Sequence, residues 1–411
     1  MNVAMLSDTE TSGGAAIAAS RLAIGLNDAG HRVTRIVARS DRTPRPAWSS
    51  ISPRTCLVGR VACRLHLDKW WLPAARVLCG DEIDSMLTDI KPDVINVHNL
   101  HGADALGFSQ ELLRICSVHA PTVWTLHDMW SFTGRCAYSY DCRKFVAGCD
   151  ARCPTPTEYP ALSPGKISGA WRSRLGLLES SPQLVAVTPS QWLAREAASG
   201  LWEGHRVETI PNGLSLDSYV VLDRVMARQA LGIGDEGPVL LSSAENLADR
   251  RKGGSLLVEA LARLNTGPIV LVTLGHGGLV VNADGVDVVN LGFIDHERTK
   301  VLAYNAADIF VHPALADNLP NVVMEAIACG TPVVGFPVGG VPEMVRPGQT
   351  GWLAGEVSPE ALVAAIDGAV QDIKTGNDMR SSCRDVAESE YDVRMQVHHY
   401  LKLFKSLGVA E

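Results

Sequence analysis

The sequence predicts an α/β protein built from two Rossmann-like, doubly wound domains. Three observations predict it. Short apolar strand patterns alternate with amphipathic helix patterns, which indicates parallel sheets covered on both faces. The alternation runs its course and then restarts in the second half of the chain. A length of 411 residues is also long for a single hydrophobic core.

Taken in order, Val3–Leu6 is a short strand, and the Ser7–Gly14 loop leads into a helix over Ala15–Ala29 that Gly30 stops. A strand at Val33–Ala38 follows, then strands at Val94–Val97, Thr122–Leu126 and Leu184–Val187. Ser190 is placed to cap a helix that starts at Gln191. The pattern restarts with a strand at Val239–Ser242, a helix at Gly254–Leu264 and a strand at Ile269–Leu274. Val288–Leu291, Ile309–His312 and Val333–Gly335 are further strands, with a helix at Asp295–Ala306 among them. Turn signals at Ile210–Ser215 place the joint near Thr209–Tyr219. The expected division is therefore 1–210, 211–384 and a C-terminal segment 385–411, helical over Val386–Leu407.

A net charge of −8 argues against a general nucleic-acid binder, so no nucleic acid is expected as partner. Met1–Leu6 enters a strand pattern without a basic leader, and no apolar run is long enough to span a bilayer. The expected location is cytoplasmic, where ten cysteines are thiols or metal ligands rather than disulfides. Charge is uneven, however. Arg32–Arg76 holds ten Lys/Arg against two acids, Asp41 and Asp68, together with Trp48, Trp70 and Trp71. Such a strip suits peripheral docking on an anionic membrane face, or is simply a solvated rim.

Pro313–Glu343 is the most informative stretch. Asp317 stands on a loop, and Glu325 stands eight residues on in the helix that follows. Val322, Val323, Ala326 and Ile327 have helical spacing, Pro320 suits a first turn, and Gly330 and Pro332 mark the stop. The helix is expected to start just after Asp317, turning its free N–H groups toward an anion there. One acid at the mouth and one along the wall suit a phosphate flanked by polyhydroxylated groups, as in a sugar nucleotide.

Four other groups point to chemistry. Thr11–Ala16 holds Gly13 and Gly14 between the first strand and helix, where backbone N–H groups meet phosphates. A plain tight turn explains that pair equally well, since it lacks the third glycine of the dinucleotide fingerprint. His127 falls at the carboxyl end of a parallel strand, the ligand-binding end of such sheets, and the adjacent Asp128 is placed to orient it. Arg250, Arg251 and Lys252 precede a helix and suit a diphosphate clamp, with roughly 1.5–3 kcal/mol per charge-assisted hydrogen bond. Cys136, Cys142, Cys149 and Cys153 fall within eighteen residues, at spacings of five, six and three. A structural zinc is the leading reading of those four, with free thiols or a redox pair as alternatives.

Together these residues resemble the retaining glycosyltransferases of family 4, which have the GT-B fold of two Rossmann-like domains facing across a cleft. The similarity covers nearly the whole chain and is most specific at Asp317, Glu325 and the following ACGTPVVGFPVGGVPEMV and GQTGWLA. It implies that Asp317 contacts the donor sugar and Glu325 the ribose hydroxyls, with backbone N–H groups near Asn318 and Leu319 placing sugar and phosphate. By the same resemblance Gly13 and Gly14 lie near the donor diphosphate, His127 beside the sugar, and Lys252 on the diphosphate. Two departures matter. Asp317 replaces the more usual glutamate. Ala244–Glu245 stands where the family usually has a clamp arginine, leaving Arg250 or Arg251 to supply that charge.

The resemblance further implies an acceptor-side first domain with a cysteine-rich insertion near 136–153, a nucleotide-sugar-binding second domain, and a tail that packs back on the first. The implied reaction moves a sugar from a nucleoside-diphosphate sugar to a hydroxyl of a glycan acceptor, lipid-linked in keeping with the basic strip. No cofactor is required for that catalysis. The His127–Trp130 run followed by close cysteines resembles a subgroup that builds bacterial exopolysaccharides such as colanic acid. A sugar-nucleotide epimerase of related fold is the alternative.

Overall fold

The computed structural model describes residues 1–40, 49–102, 106–234, 237–264 and 267–410, the side chains of 68–70 excepted. Trp48, Asp41 and the side chains of Asp68 and Trp70 therefore lie outside the described residues. The chain divides into two compact units, Met1–Pro211 with Gln396–Glu411, and Asn212–Met395. Residues 385–395 thus count with the second unit, and from Gln396 the chain belongs to the first.

Among the described residues, the first unit holds a seven-stranded parallel sheet. Its strands are β1 (Asn2–Thr9), β2 (Arg32–Arg39), β3 (Ser49–Ile51), β4 (Val94–Val97), β5 (Thr122–Thr125), β6 (Val185–Thr188) and β7 (Val207–Thr209). The order is β3-β2-β1-β4-β5-β6-β7. The second unit holds β8 (Val239–Asn246), β9 (Ile269–His276), β10 (Val286–Asn290), β11 (Ile309–His312), β12 (Val333–Gly335) and β13 (Gly351–Leu353). Their order is β10-β9-β8-β11-β12-β13. In each sheet the direction of winding reverses beside one strand, β1 in the first and β8 in the second. Ligands of such sheets bind at that reversal, outside the carboxyl ends of the strands.

Strand alternation builds the cores. In the second sheet Val239, Leu241, Val270, Val272, Phe310 and Val333 enter the core on one face. Leu240, Leu271, Ile309, Val311 and Val334 enter the core on the other. This is the period of two expected of strands covered on both sides. Strands β1, β8 and β9 run past their apolar stretches into polar residues. Pairs such as Thr9↔Arg39 and Asn246↔His276 keep the ladder paired there. Periodicity of hydrophobics cannot see such extensions.

The helix expected over Val386–Leu407 is broken. Helix Arg380–Val386 passes into a π-helical turn at Ala387–Tyr391, and a new helix runs over Val393–Ser406. At the break Leu214 bridges Asp392, with Leu214 N–H donating to Tyr391 O and Val393 N–H to Leu214 O. The Asp392 carboxylate also accepts the Arg394 N–H at 2.8 Å, which makes it a new helix cap. Farther on, Tyr400 is buried and its hydroxyl lies 2.9 Å from Thr125 Oγ1 of β5. Among the described residues no helix is long and apolar enough to cross a membrane.

Candidate active site

In the second unit, the loops after β8 and β11 meet where the strand order reverses. The first closes in a short turn, Arg250–Lys252, whose cap Asp249 accepts the Arg251 N–H at 2.9 Å. Gly253 follows at φ +72°, and a Cβ there would stand 1.8 Å from Pro313 O. No side chain fits, so the cationic turn lies directly on the β11 loop, where Leu315 N–H donates to Arg251 O at 2.8 Å. Arg251 Nη1 donates to Ala316 O at 2.9 Å and lies 3.6 Å from Asp317 Oδ2. Lys252 Nζ donates to the same Oδ2 at 2.7 Å. His312 Nε2 stands 3.5 Å from it, at the outer edge of hydrogen-bonding range. Arg250 is exposed.

The two expected halves of the site are therefore bonded to each other. Burial pushes the Asp317 carboxyl up. Lys252, the nearby His312 and the Arg251 guanidinium outweigh it and hold Asp317 well below the usual carboxylate range. Burial lowers His312, against the pull of Asp317. The helix starts at Asn321 rather than directly after Asp317, because Pro320 takes the extended cap position and residues 318–320 remain loop. Asn318 and Leu319 are buried in that loop, and no side chain caps the helix. Glu325 is buried one turn into the helix and accepts the Tyr304 hydroxyl at 2.9 Å. Burial, then Glu325, push that phenol well up.

In the first unit, Gly13 takes φ +86° as the cap of helix Gly14–Asp28, a conformation that favours glycine. The fully buried Arg35 holds the loop before it, donating to Glu10 O, Ser20 Oγ and Ser7 Oγ at 2.6–2.8 Å. His127 leaves β5 and lines a small pocket with Asn99, His101, Trp124, Asp128 and Trp130. Asp128, expected to orient His127, acts on it through its charge and takes hydrogen bonds from other partners. Asp128 Oδ2 is 3.0 Å from His101 Nε2, and Oδ1 accepts the Trp130 N–H at 2.9 Å. His127 Nε2 instead lies 2.9 Å from Nδ1 of His98, the residue after β4. Tyr159 Oη reaches His101 Nδ1 at 3.2 Å. Burial works to lower His101, but Asp128 and Asp8 outweigh it and raise its pKa.

Sequence reading passed over His98, His101, His312 and Tyr304. The rule that selected His127, a polar residue ending an apolar parallel strand, applied equally to His98 after β4 and to His312 closing β11. Tyr304 gave no such signal, since a tyrosine on the buried face of a helix reads as core.

The four cysteines lie between β5 and β6 as free thiols. Gly134 N–H donates to Cys149 Sγ at 3.2 Å. Burial pushes the Cys136 thiol up to about 12, with Arg135 opposing and Cys153 and Cys149 adding to the rise. Burial also raises Cys149, which senses Cys142 and Cys153. The thiols are within electrostatic reach of one another. Among the described residues, however, no group of three or more His, Cys, Asp or Glu side chains is placed to hold a metal ion.

Two parallel-sheet α/β units with polar loops at their reversal points define the class, the GT-B fold. Sucrose-phosphate synthase from Thermosynechococcus elongatus matches with a TM-score of 0.73 at 20% identity, over 100% of this chain and 99% of that one. Anabaena HepE, solved with UDP-glucose, matches at 0.66 and 17% identity, over 98% of this chain and 99% of that one. The Glycosyltransferase Family 4 profile matches residues 12–218, and that of Glycosyl transferases group 1 matches 237–372. The chain belongs to glycosyltransferase family 4. A relative from Escherichia coli (strain K12), WcaC, named as a colanic acid biosynthesis glycosyl transferase, is 31% identical over 255 residues. That match covers 59% of this chain, and the chain spans 59% of the relative's length.

Proposed function

We propose that this protein is a retaining glycosyltransferase. It moves a sugar from a nucleoside-diphosphate sugar to a hydroxyl of a lipid-linked glycan in bacterial exopolysaccharide assembly. The observation that carries the reading is the junction of Arg251, Lys252 and Asp317 at the β8/β11 reversal. A cationic turn fixed there by Gly253 is a ready seat for a diphosphate. The UDP-glucose named with HepE supports the donor class, and WcaC supports the pathway. Family membership favours transfer over the epimerase alternative.

In this mechanism the glycosidic bond breaks and its electrons stay on the departing diphosphate, beside Lys252 and Arg251. The acceptor hydroxyl adds to the same face of the anomeric carbon, and its proton passes to the departing phosphate oxygen. The enzyme's share is charge stabilisation aimed at the leaving group. Asp317 keeps the two cations in place and neutralises part of their charge until donor arrives. Glu325, held by Tyr304, is proposed to meet the ribose hydroxyls. Two further proposals accompany this reading: zinc on the cysteine group, whose thiols would have to draw closer together to share one ion, and docking of the first unit on an anionic membrane.

Thermal shift against a panel of UDP, GDP and ADP sugars tests the reading, because a ligand specific to the native state raises stability by mass action. One donor class is expected to stabilise the protein. Glu325→Ala and Lys252→Ala are expected to lose about 10- to 150-fold in transfer, the worth of one charge-assisted hydrogen bond. Near-wild-type turnover in both variants would sink the site.

A further inference from the structure

The loops leaving β4 and β5 are joined by two side-chain pairs. His98 meets His127 at 2.9 Å, and three residues on His101 meets Asp128 at 3.0 Å. Asp128 places its oxygens on His101 and Trp130, while Nε2 of His127 meets the His98 ring directly. We infer that His98 is a positioning residue that fixes the tautomer of His127, holding the His127 proton on Nδ1. The inference deepens the proposed function and rests on it only for the catalytic consequence.

When two neutral imidazoles share one hydrogen bond, one nitrogen donates and the other accepts. His98 is 2% exposed, and its Nε2 is buried with no hydrogen-bond partner. A proton on Nε2 would be a stranded buried N–H, and stranded donors are rarer than under-used acceptors. The proton of His98 therefore sits on Nδ1, directed at His127 Nε2. Neutral His127 accepts there and keeps its own proton on Nδ1.

Neutrality of both rings follows from their surroundings. Burial is the largest cause lowering His98, followed by repulsion from His127 and from Arg35. Burial also lowers His127 to about 4, with Asp128 opposing and His101 assisting. The rings lie nearly parallel, 21° apart, with centroids 5.2 Å apart, so the contact is edge to edge. In consequence any substrate oxygen bound by His127 is bound through an Nδ1–H donor. Nε2 is already taken and is not a general base.

Imidazole nitrogen spectra of the full-length ¹⁵N-labelled protein test this without reference to turnover. At pH 7 His98 and His127 are each expected to be neutral and protonated on Nδ1. His98→Asn, whose amide donates from nearly the same place, is expected to keep the His127 pattern. His98→Ala is expected to shift His127 toward Nε2–H and to lower kcat about tenfold, the loss of one hydrogen bond, with KM little changed. A wild-type His127 that is protonated on Nε2, or charged at pH 7, overturns the inference. So does a folded His98→Ala protein with an unaltered His127 tautomer. If His98→Ala does not fold, the wild-type and His98→Asn spectra decide the question. The predicted tautomers in a protein without transferase activity would uphold the inference while sinking the proposed function.

Discussion

Asp317 shows how a single carboxylate couples binding to stability. Its side chain is 9% exposed and faces Lys252 at 2.7 Å. Such a group favours the folded state only while ionised. Because its folded pKa is depressed, its contribution is complete above the unfolded value of about 3.9 and is lost as pH falls through the folded value. Asp317→Asn removes the charge at every pH. The variant is therefore expected to be less stable than wild type at pH 7, by roughly 1.5–3 kcal/mol. The gap should narrow as pH is lowered below about 4. Urea unfolding of both proteins from pH 7 to 2 reads this directly, and a gap that does not change with pH would refute the pairing. The same pairing implies that Lys252→Ala uncovers a buried carboxylate, so its loss of transfer is best measured beside Asp317→Asn.

At the scale of elements, helix Arg54–Arg64 is inverted. Small residues, Thr55, Cys56, Gly59 and Ala62, face inward, while Leu57, Val58 and Val61 are exposed. Leu65, Leu67, Val77 and Leu78 continue the exposed apolar surface, with Leu65 at 60% and Val77 at 65%. Arg54, Arg64 and Arg76 are exposed beside them. Exposed aliphatic side chains interleaved with arginines are the side-chain types that the proposed docking on an anionic bilayer face requires. The sequence pointed to Trp70 and Trp71 for this role. Trp71 is half-buried with its indole N–H covered, and aliphatic residues are the exposed ones around it, while the Trp70 side chain lies outside the described residues. Leu57→Ser, Val58→Ser and Val61→Ser together are expected to abolish co-flotation with vesicles rich in phosphatidylglycerol. Undiminished flotation would refute the surface. The cysteine segment gives the other prediction at this scale. Protein purified without chelator is expected to carry one equivalent of zinc, lost in a Cys136→Ser/Cys153→Ser variant. Metal well below one equivalent would leave the four as structural thiols.

At the scale of the whole molecule, the alternation of strands and helices was legible because burial on both faces demands continuous apolar strands, as in VINV of β4. Strand ends were not legible where the ladder continued through polar residues. The placement of the candidate residues was legible where it is local in sequence: His127, Lys252, Asp317 and Glu325 all fall on the loops or helices that their motifs predicted. The partners that fix them were not. His98 comes from 29 residues away, and Lys252 and Asp317 are 65 apart. Such pairings are made by the strand order, which places β4 beside β5 and β8 beside β11. A reading that stops at motifs names the residues and misses what they hold.

The order of the chain has a consequence for synthesis. The second unit is one uninterrupted span, Asn212–Met395, whereas the first is closed by residues 396–411. Strand β5 and the histidines beyond it, translated early, wait for Tyr400 to supply the buried partner of Thr125. The first unit therefore cannot complete its buried contacts until translation has passed Tyr400, whereas the second needs nothing beyond Met395.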